Sequence, residues 1–296
     1  MTVKSADSAQ VVTAAVREVS QIATLPEITL KIVELVESPS STAQDLHNVI
    51  SNDPALCSRI LKVVNSSFYG MPGQIGSINR AIVLLGLNAV KNIAISASLA
   101  KLFKGGQLCP SFSAKDLWKH SVATAATSKL LADAMGLGLT DEAFLAGLIH
   151  DIGIMVELQY DRAKLIEVVN QLGAASAGAA PTVDMLEVEQ RVFGATHQEF
   201  GKGLCEKWKF PKSFAAVAGF HHAPLTLPEQ QRTLPCIVSA ADHISASLGG
   251  GFRLDVRDTT IDPAVLDVLK LPAAKIDELK QTLPKQIAEV EALLAG

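Results

Sequence analysis

Ala143-Phe144-Leu145-Ala146-Gly147-Leu148-Ile149-His150-Asp151-Ile152-Gly153 is the stretch on which both the fold and the chemistry of this chain turn. Leu145, Leu148, Ile149 and Ile152 recur at three- and four-residue spacing, the period of a helix with one buried face. His150 and Asp151 are adjacent, hence about 100° apart around that axis, and such a pair shares one ion only near the rim of the face. Gly153 is a natural helix-ending residue, which predicts that the pair sits where a helix opens onto a cavity. An ionised aspartate among apolar neighbours needs a positive partner, and a metal ion supplies that charge.

The same spacing of alanine, leucine and valine extends along nearly the whole of the 296 residues, with only 5% aromatic content. It predicts an all-α protein whose helices pack closely through small residues. Asp53-Pro54 joins a capping carboxylate to a first-turn proline and predicts a helix over Ala55 to Asn65; Ser77, Ser113 and Thr140 are further candidate caps. Lys104-Gly105-Gly106 through Pro110 predicts an exposed junction between an N-terminal helical bundle, from about residue 9 to 105, and a second bundle from about 112 to 250. Gly249-Gly250-Gly251 precedes a C-terminal tail, 251–296, in which Pro263, Pro272 and Pro284 punctuate short helices that close over one of the bundles.

Composition removes several functions. A net charge of -4, with both signs mixed throughout, provides no basic field for non-specific binding of nucleic acid. Cys57, Cys109, Cys205 and Cys236 are far apart with no CxxC pair, as expected of reduced, mostly core cysteines. The polar start MTVKSADSAQ argues against export, and Asn88, Lys91 and Asn92 interrupt the apolar region Ala81 to Phe103, so a cytoplasmic protein that does not cross a membrane is expected.

Seven histidines carry the chemical signal, and five lie between Trp118 and His222. Taken singly, each is most simply a hydrogen-bonded core residue. As a group, His120, His150, His197, His221 and His222, with Asp151 and Asp242, suit one or two divalent transition-metal ions with positions left for water. Residue type does not separate iron, manganese, nickel and zinc. His120 continues the inward stripe of Leu117, Thr124 and Leu131, while His197 and His221-His222 fall at predicted helix ends, where ligands converge.

A histidine on one helix, a His-Asp doublet on the next and a later aspartate resemble the HD superfamily of metal-dependent phosphohydrolases, here as His120, His150-Asp151 and Asp242. Leu25-Pro26, Ser51-Asn52-Asp53-Pro54-Ala55-Leu56, Asn65-Ser66-Ser67-Phe68-Tyr69-Gly70 and Ala81-Ile82-Val83-Leu84-Leu85-Gly86 resemble, more specifically, the HDOD family, the HD-related output domain of bacterial signalling proteins. On this resemblance residues 1–24 form an N-terminal helix, 25–224 the HDOD region, with its HD-like bundle running on to about 250, and 251–296 the helical tail.

The resemblance implies a signalling module that binds signalling proteins, such as a kinase, cyclase or response regulator, or a nucleotide ligand. It also implies that His120, His150, Asp151 and Asp242 hold one metal and that Asp151, His197, His221 and His222 hold a second, with Asp151 bridging. Two departures count against catalysis. Ile154 stands where catalytic HD relatives carry a lysine, and Ala223-Pro224-Leu225 replaces the Gly-Tyr-Pro extension of cyclic-di-GMP phosphodiesterases. Developing charge on a phosphodiester calls for positive groups besides the metals. If the chain is a hydrolase of a nucleotide or cyclic dinucleotide instead, Asp151 is a candidate catalytic residue and Lys202 or Lys207 a candidate replacement cation.

Overall fold

The computed structural model describes residues 3–22, 27–38, 40–71, 73–100, 102–103, 107–249 and 251–294. Among them the chain is all-α except for a hairpin of β1 (Gln107–Cys109) and β2 (Phe112–Ser113). The first part comprises α1 (Val3–Ile22), α2 (Glu27–Glu37), α3 (Ala43–Ser51), α4 (Pro54–Val64), α5 (Ile78–Leu85) and α6 (Leu87–Leu99). After the hairpin come α7 (Ala114–Met135), α8 (Thr140–Ile149), α9 (Ile152–Tyr160), α10 (Arg162–Gln171), α11 (Met185–Val192), α12 (His197–Lys207), α13 (Lys212–Phe220), α14 (Thr233–Ser247), α15 (Pro263–Leu269) and α16 (Ala273–Leu294). The Gly105-Gly106 junction, Leu25-Pro26 and Gly250 lie outside the described residues.

Local chemistry sets the helix starts. Asp53 accepts from the Leu56 amide with Pro54 in the first turn, Ser77 accepts from the Arg80 amide, and Ser113 accepts from the Asp116 amide. Thr140 differs from expectation: Leu139 occupies the cap position, and the Thr140 hydroxyl donates to Asp133 at 2.6 Å. The aspartate near the end of α7 takes the hydroxyl that would otherwise cap α8.

Around the long α7 the second half of the chain assembles, with α8 and α14 along it and α12 between α9 and α13. Helix α6 packs on α2, α4 and α5 and also on α8, so it ties the first group of helices to the second. It tolerates a buried lysine because the Lys91 ammonium donates to the Leu35 carbonyl at 2.6 Å and to Ser41 Oγ at 2.8 Å. Helix α1 packs on α9 and α12 rather than opening the N-terminal bundle. Gly203 on α12 leaves the groove that Val12 fills, and Ser8 Oγ donates to Glu199. Helix α16 spans both halves through α4 and α7, where Glu289 accepts from Ser67 Oγ and from the Phe68 amide. Residues 140–160 are apolar enough and long enough to cross a membrane, yet 83% of that window is buried inside the fold.

The quoted stretch is not one helix. Helix α8 stops at Ile149, His150 and Asp151 form a turn, and α9 starts at Ile152. Gly153 therefore ends nothing; it lies in the first turn of α9. A Cβ there would stand 1.8 Å from the His197 carbonyl oxygen and 2.8 Å from the Gly201 amide nitrogen, so only glycine lets the start of α9 meet the start of α12. That contact brings His197 to the His-Asp turn. Gly153→Ala should lower stability by about 3 kcal/mol or more, read from the urea midpoint. Gly76→Ala, where the added carbon meets nothing within 4 Å, should leave the midpoint nearly unchanged.

Candidate metal centre

The fold delivers seven polar side chains to one point between α7, the α8–α9 turn, α12, α13 and α14. His120 comes from the first half of α7, His150 and Asp151 from the turn, and Asp242 from α14. His197 is the first residue of α12, set there by a capping box in which Thr196 and Glu199 exchange hydrogen bonds. His221 ends α13, with His222 beyond it. Six of the seven have no exposure, and the His222 side chain retains 13%.

Distances divide the cluster into two groups that meet at Asp151. His120 Nε2 lies 3.0 Å from Asp242 Oδ1 and 3.3 Å from His150 Nε2. His150 Nε2 lies 3.1 Å from Asp151 Oδ2. The other oxygen, Asp151 Oδ1, faces His221 Nε2 at 3.4 Å and His197 Nε2 at 3.8 Å. His197 Nε2 is in turn 3.2 Å from His222 Nε2 and 3.4 Å from His221 Nε2.

Proton placement determines what this arrangement can do. His150 Nδ1 faces the Gly147 carbonyl at 2.7 Å, His221 Nδ1 the Val217 carbonyl at 3.1 Å, and His197 Nδ1 both oxygens of Glu189 at 2.9 Å. Each partner is an acceptor, so each Nδ1 carries a proton and each ring turns its Nε2 to the centre, where loss of the second proton leaves a lone pair for a ligand. The Nε2 atoms of His197 and His221, 3.4 Å apart with both Nδ1 atoms engaged by acceptors, have no proton to share when the rings are neutral. The carboxylate oxygens of Asp151 and Asp242 also receive no hydrogen bond of acceptable geometry. Inward-facing lone pairs and unpaired buried carboxylates are the donor set of a cation site. Asp151, His197, His221 and His222 present ligand atoms within 4.8 Å of one another, as do His120, His150, Asp242 and Asp255.

Electrostatics shows the same excess of negative charge. Burial opposes charge on His150, but Asp151 at hydrogen-bonding distance overrides it and raises the imidazole to about 9. Burial likewise opposes ionisation of Asp151, yet His150 and His221 hold it well below the usual carboxylate range. His222 is pushed well below its ordinary value by burial and by His221 and His197.

Asp255 escaped the sequence reading because it lies in the stretch after Gly249-Gly250-Gly251 assigned to a tail; its only signal is an acidic residue in the alternating run Phe252-Arg253-Leu254-Asp255-Val256. Glu189 also escaped, although a glutamate eight residues before a candidate ligand is a common orienting partner only once the fold is known. Lys202 does not join the cluster; its ammonium lies 5.5 Å from the Phe220 ring, and Lys207 is exposed. His243, beside Asp242, bonds the Ser239 carbonyl of its own helix.

The family model for the HDOD domain matches residues 22–224. An uncharacterized protein of Treponema pallidum is 26% identical over 233 residues, which are 78% of this chain and 44% of that protein. The chain thus spans less than half the length of that relative. Ribonuclease Y of Lachnoclostridium phytofermentans is 30% identical over 135 residues, 46% of this chain and 19% of that enzyme. A crystal structure of an HDOD domain protein of unknown function from Geobacter sulfurreducens shares the fold, with a TM-score of 0.75, 23% identity, and coverage of 96% of this chain and 99% of that one.

Protein prepared without an affinity tag should carry one to two equivalents of transition metal by elemental analysis, and His150→Ala with Asp151→Ala should abolish binding while retaining the helical circular dichroism. Glu189→Gln should weaken binding by about 10- to 100-fold, because it loosens His197 without removing a ligand. The raised pKa of His150 sets a pH dependence with a definite sign. In chelator-stripped protein its protonation stabilises the fold fully below its unfolded value of about 6.5, and that contribution is lost as pH rises through about 9. Binding displaces the same proton, so metal affinity should rise over that interval while the melting temperature of the stripped protein falls.

Proposed function

The chain belongs to the HDOD family, and from that premise we propose that it is a bacterial signal-transduction module that acts by binding, built around a retained metal centre, and that it turns over phosphodiesters slowly or not at all. The observation that carries this reading is the enclosure of the ligand set. Six ligand side chains have no exposure, and the groups facing the two ligand aspartates are imidazoles and the Asp255 carboxyl, with no lysine or arginine among them. Ile154, at the position that the family resemblance gives to a lysine, is fully buried in the apolar core. A competent hydrolase has to hold a phosphate beside its metal and offset the charge that develops there. Here the side chains that would do so are apolar or turned elsewhere.

In this reading His120, His150, Asp151 and Asp242 would hold one ion and Asp151, His197, His221 and His222 a second, Asp151 being common to both sets. When bound, the ions supply the positive charge that the carboxylates lack. Glu189 and the carbonyls of Gly147 and Val217 hold the imidazoles in the ligating tautomer. The partners are signalling proteins of the bacterial cytoplasm, a kinase, cyclase or response regulator, and the four cysteines, all free, suit that compartment.

A second reading, a metal-dependent phosphohydrolase of a nucleotide or cyclic dinucleotide, is favoured by the completeness of the ligand set and by one relative being a ribonuclease. Assays of metal-loaded protein with cyclic dinucleotides, nucleoside phosphates and a chromogenic phosphodiester separate the two. The expected rate is that of the Asp151→Ala variant. Turnover that requires metal and disappears in that variant would establish the hydrolase.

A further inference from the structure

Between α14 and α15 residues 251–262 form a strap without helix or strand that turns at Leu254-Asp255, where the Val256 amide donates to the Arg253 carbonyl at 3.1 Å. Its first residue, Gly251, has φ +93° and lies so close to α7 that a Cβ would stand 2.9 Å from the Asp116 carbonyl oxygen and 3.0 Å from the His120 amide nitrogen. The Phe252 amide donates to the same Asp116 carbonyl at 3.1 Å, and its ring meets the His120 ring edge-on at 6.0 Å. The Arg253 amide donates to the Ala177 carbonyl at 2.8 Å, and Leu254 and Val256 are buried. These anchors hold the Asp255 side chain, itself without exposure, against the centre. Its Oδ2 lies 3.6 Å from His222 Nε2, and it shares one ligand group with His120, His150 and Asp242 and another with His150, Asp151 and His221. Neither carboxylate oxygen has a hydrogen-bond partner. No hydrogen bond among the described residues pairs this carboxylate, whereas ligation would satisfy both its charge and its lone pairs.

We propose that Asp255 is a further metal ligand delivered by the strap, so that the strap closes on the centre when the ions are bound and a small molecule reaches them only when Asp255 lets go. The proposal rests on the metal-centre reading above and adds to it a ligand outside the segment matched to the family, residues 22–224. His222 is the one ligand of the seven with any exposure, and Asp255 stands beside it. The strap thus covers the side from which the ions would be approached.

The test uses the full chain, stripped with chelator and titrated with Mn2+, as wild type and as Asp255→Asn. Bound metal is measured by equilibrium dialysis, and amide hydrogen exchange is followed over residues 252–257. Mn2+ should slow exchange of the strap in wild type by at least about tenfold and leave it unchanged in Asp255→Asn, whose affinity should be lower by at least about tenfold. Strap exchange that Mn2+ does not alter in a wild type that binds it, or unchanged affinity in Asp255→Asn, overturns the assignment of Asp255 and leaves the metal centre standing. A wild type that takes up neither Mn2+, Zn2+ nor Fe2+ overturns the centre itself. If the variant does not fold, the wild-type exchange comparison decides alone.

Discussion

Buried negative charge is the constraint on which the rest of this molecule depends. Asp151, Asp242, Glu157 and Glu189 have no exposure, and the Asp255 side chain has none either. Each carboxylate taken out of water costs several kcal/mol unless it is paired. The fold answers with imidazoles where a surface would use lysine or arginine. One part of the load is relieved locally: burial, then the neighbouring charge of Glu189, pushes Glu157 well above the usual carboxylate range, so Glu157 keeps its proton. Glu189 is left to act on His197, to which it is bonded through both the ring and the backbone amide. What remains is concentrated on Asp151 and Asp242, and burial together with those two charges pushes Asp255 well above the usual carboxylate range.

Bringing those groups together is a packing problem before it is an electrostatic one. The His150-Asp151 turn interrupts what would otherwise be one apolar helix, and the interruption lets both side chains face inward. Gly153 and Gly201 then allow backbone contact between α9 and α12, each lying where the other's side chain would be. Gly147 does the same between α8 and α7, since a Cβ there would lie 2.8 Å from the Thr124 carbonyl oxygen. Small residues at these crossings are what place histidines from three helices within reach of one carboxylate.

Much of this was legible without coordinates. The helical class followed from the period of the apolar residues, and the His-Asp doublet stood out because an aspartate in so apolar a run has to be compensated. The seven residues gathered at the centre were each visible as a histidine or aspartate at a helix end or on an inward stripe. The break at His150-Asp151 was not, since nothing in the local pattern distinguishes a turn from a continuing helix when the flanks are equally apolar. Nor was the role of Gly153, whose requirement comes from a carbonyl more than forty positions away in the chain. Asp255 and Glu189 act through contacts that no local spacing encodes. Helix α1 was misplaced for the same reason: an amphipathic helix advertises that it is buried, but not against which partner.

The strap carries one more implication, for the order in which the chain folds. Its Asp255 lies more than a hundred residues beyond His120, as Phe252 does beyond its anchor at Asp116, and the anchor at Ala177 joins segments less remote in sequence. Contacts of that separation form only after long loops have closed, so they are among the slowest to be made. During synthesis the imidazoles of α7, α12 and α13 emerge from the ribosome well before the carboxylates of α14 and the strap. The strap that covers the imidazoles is therefore synthesised after every residue it covers.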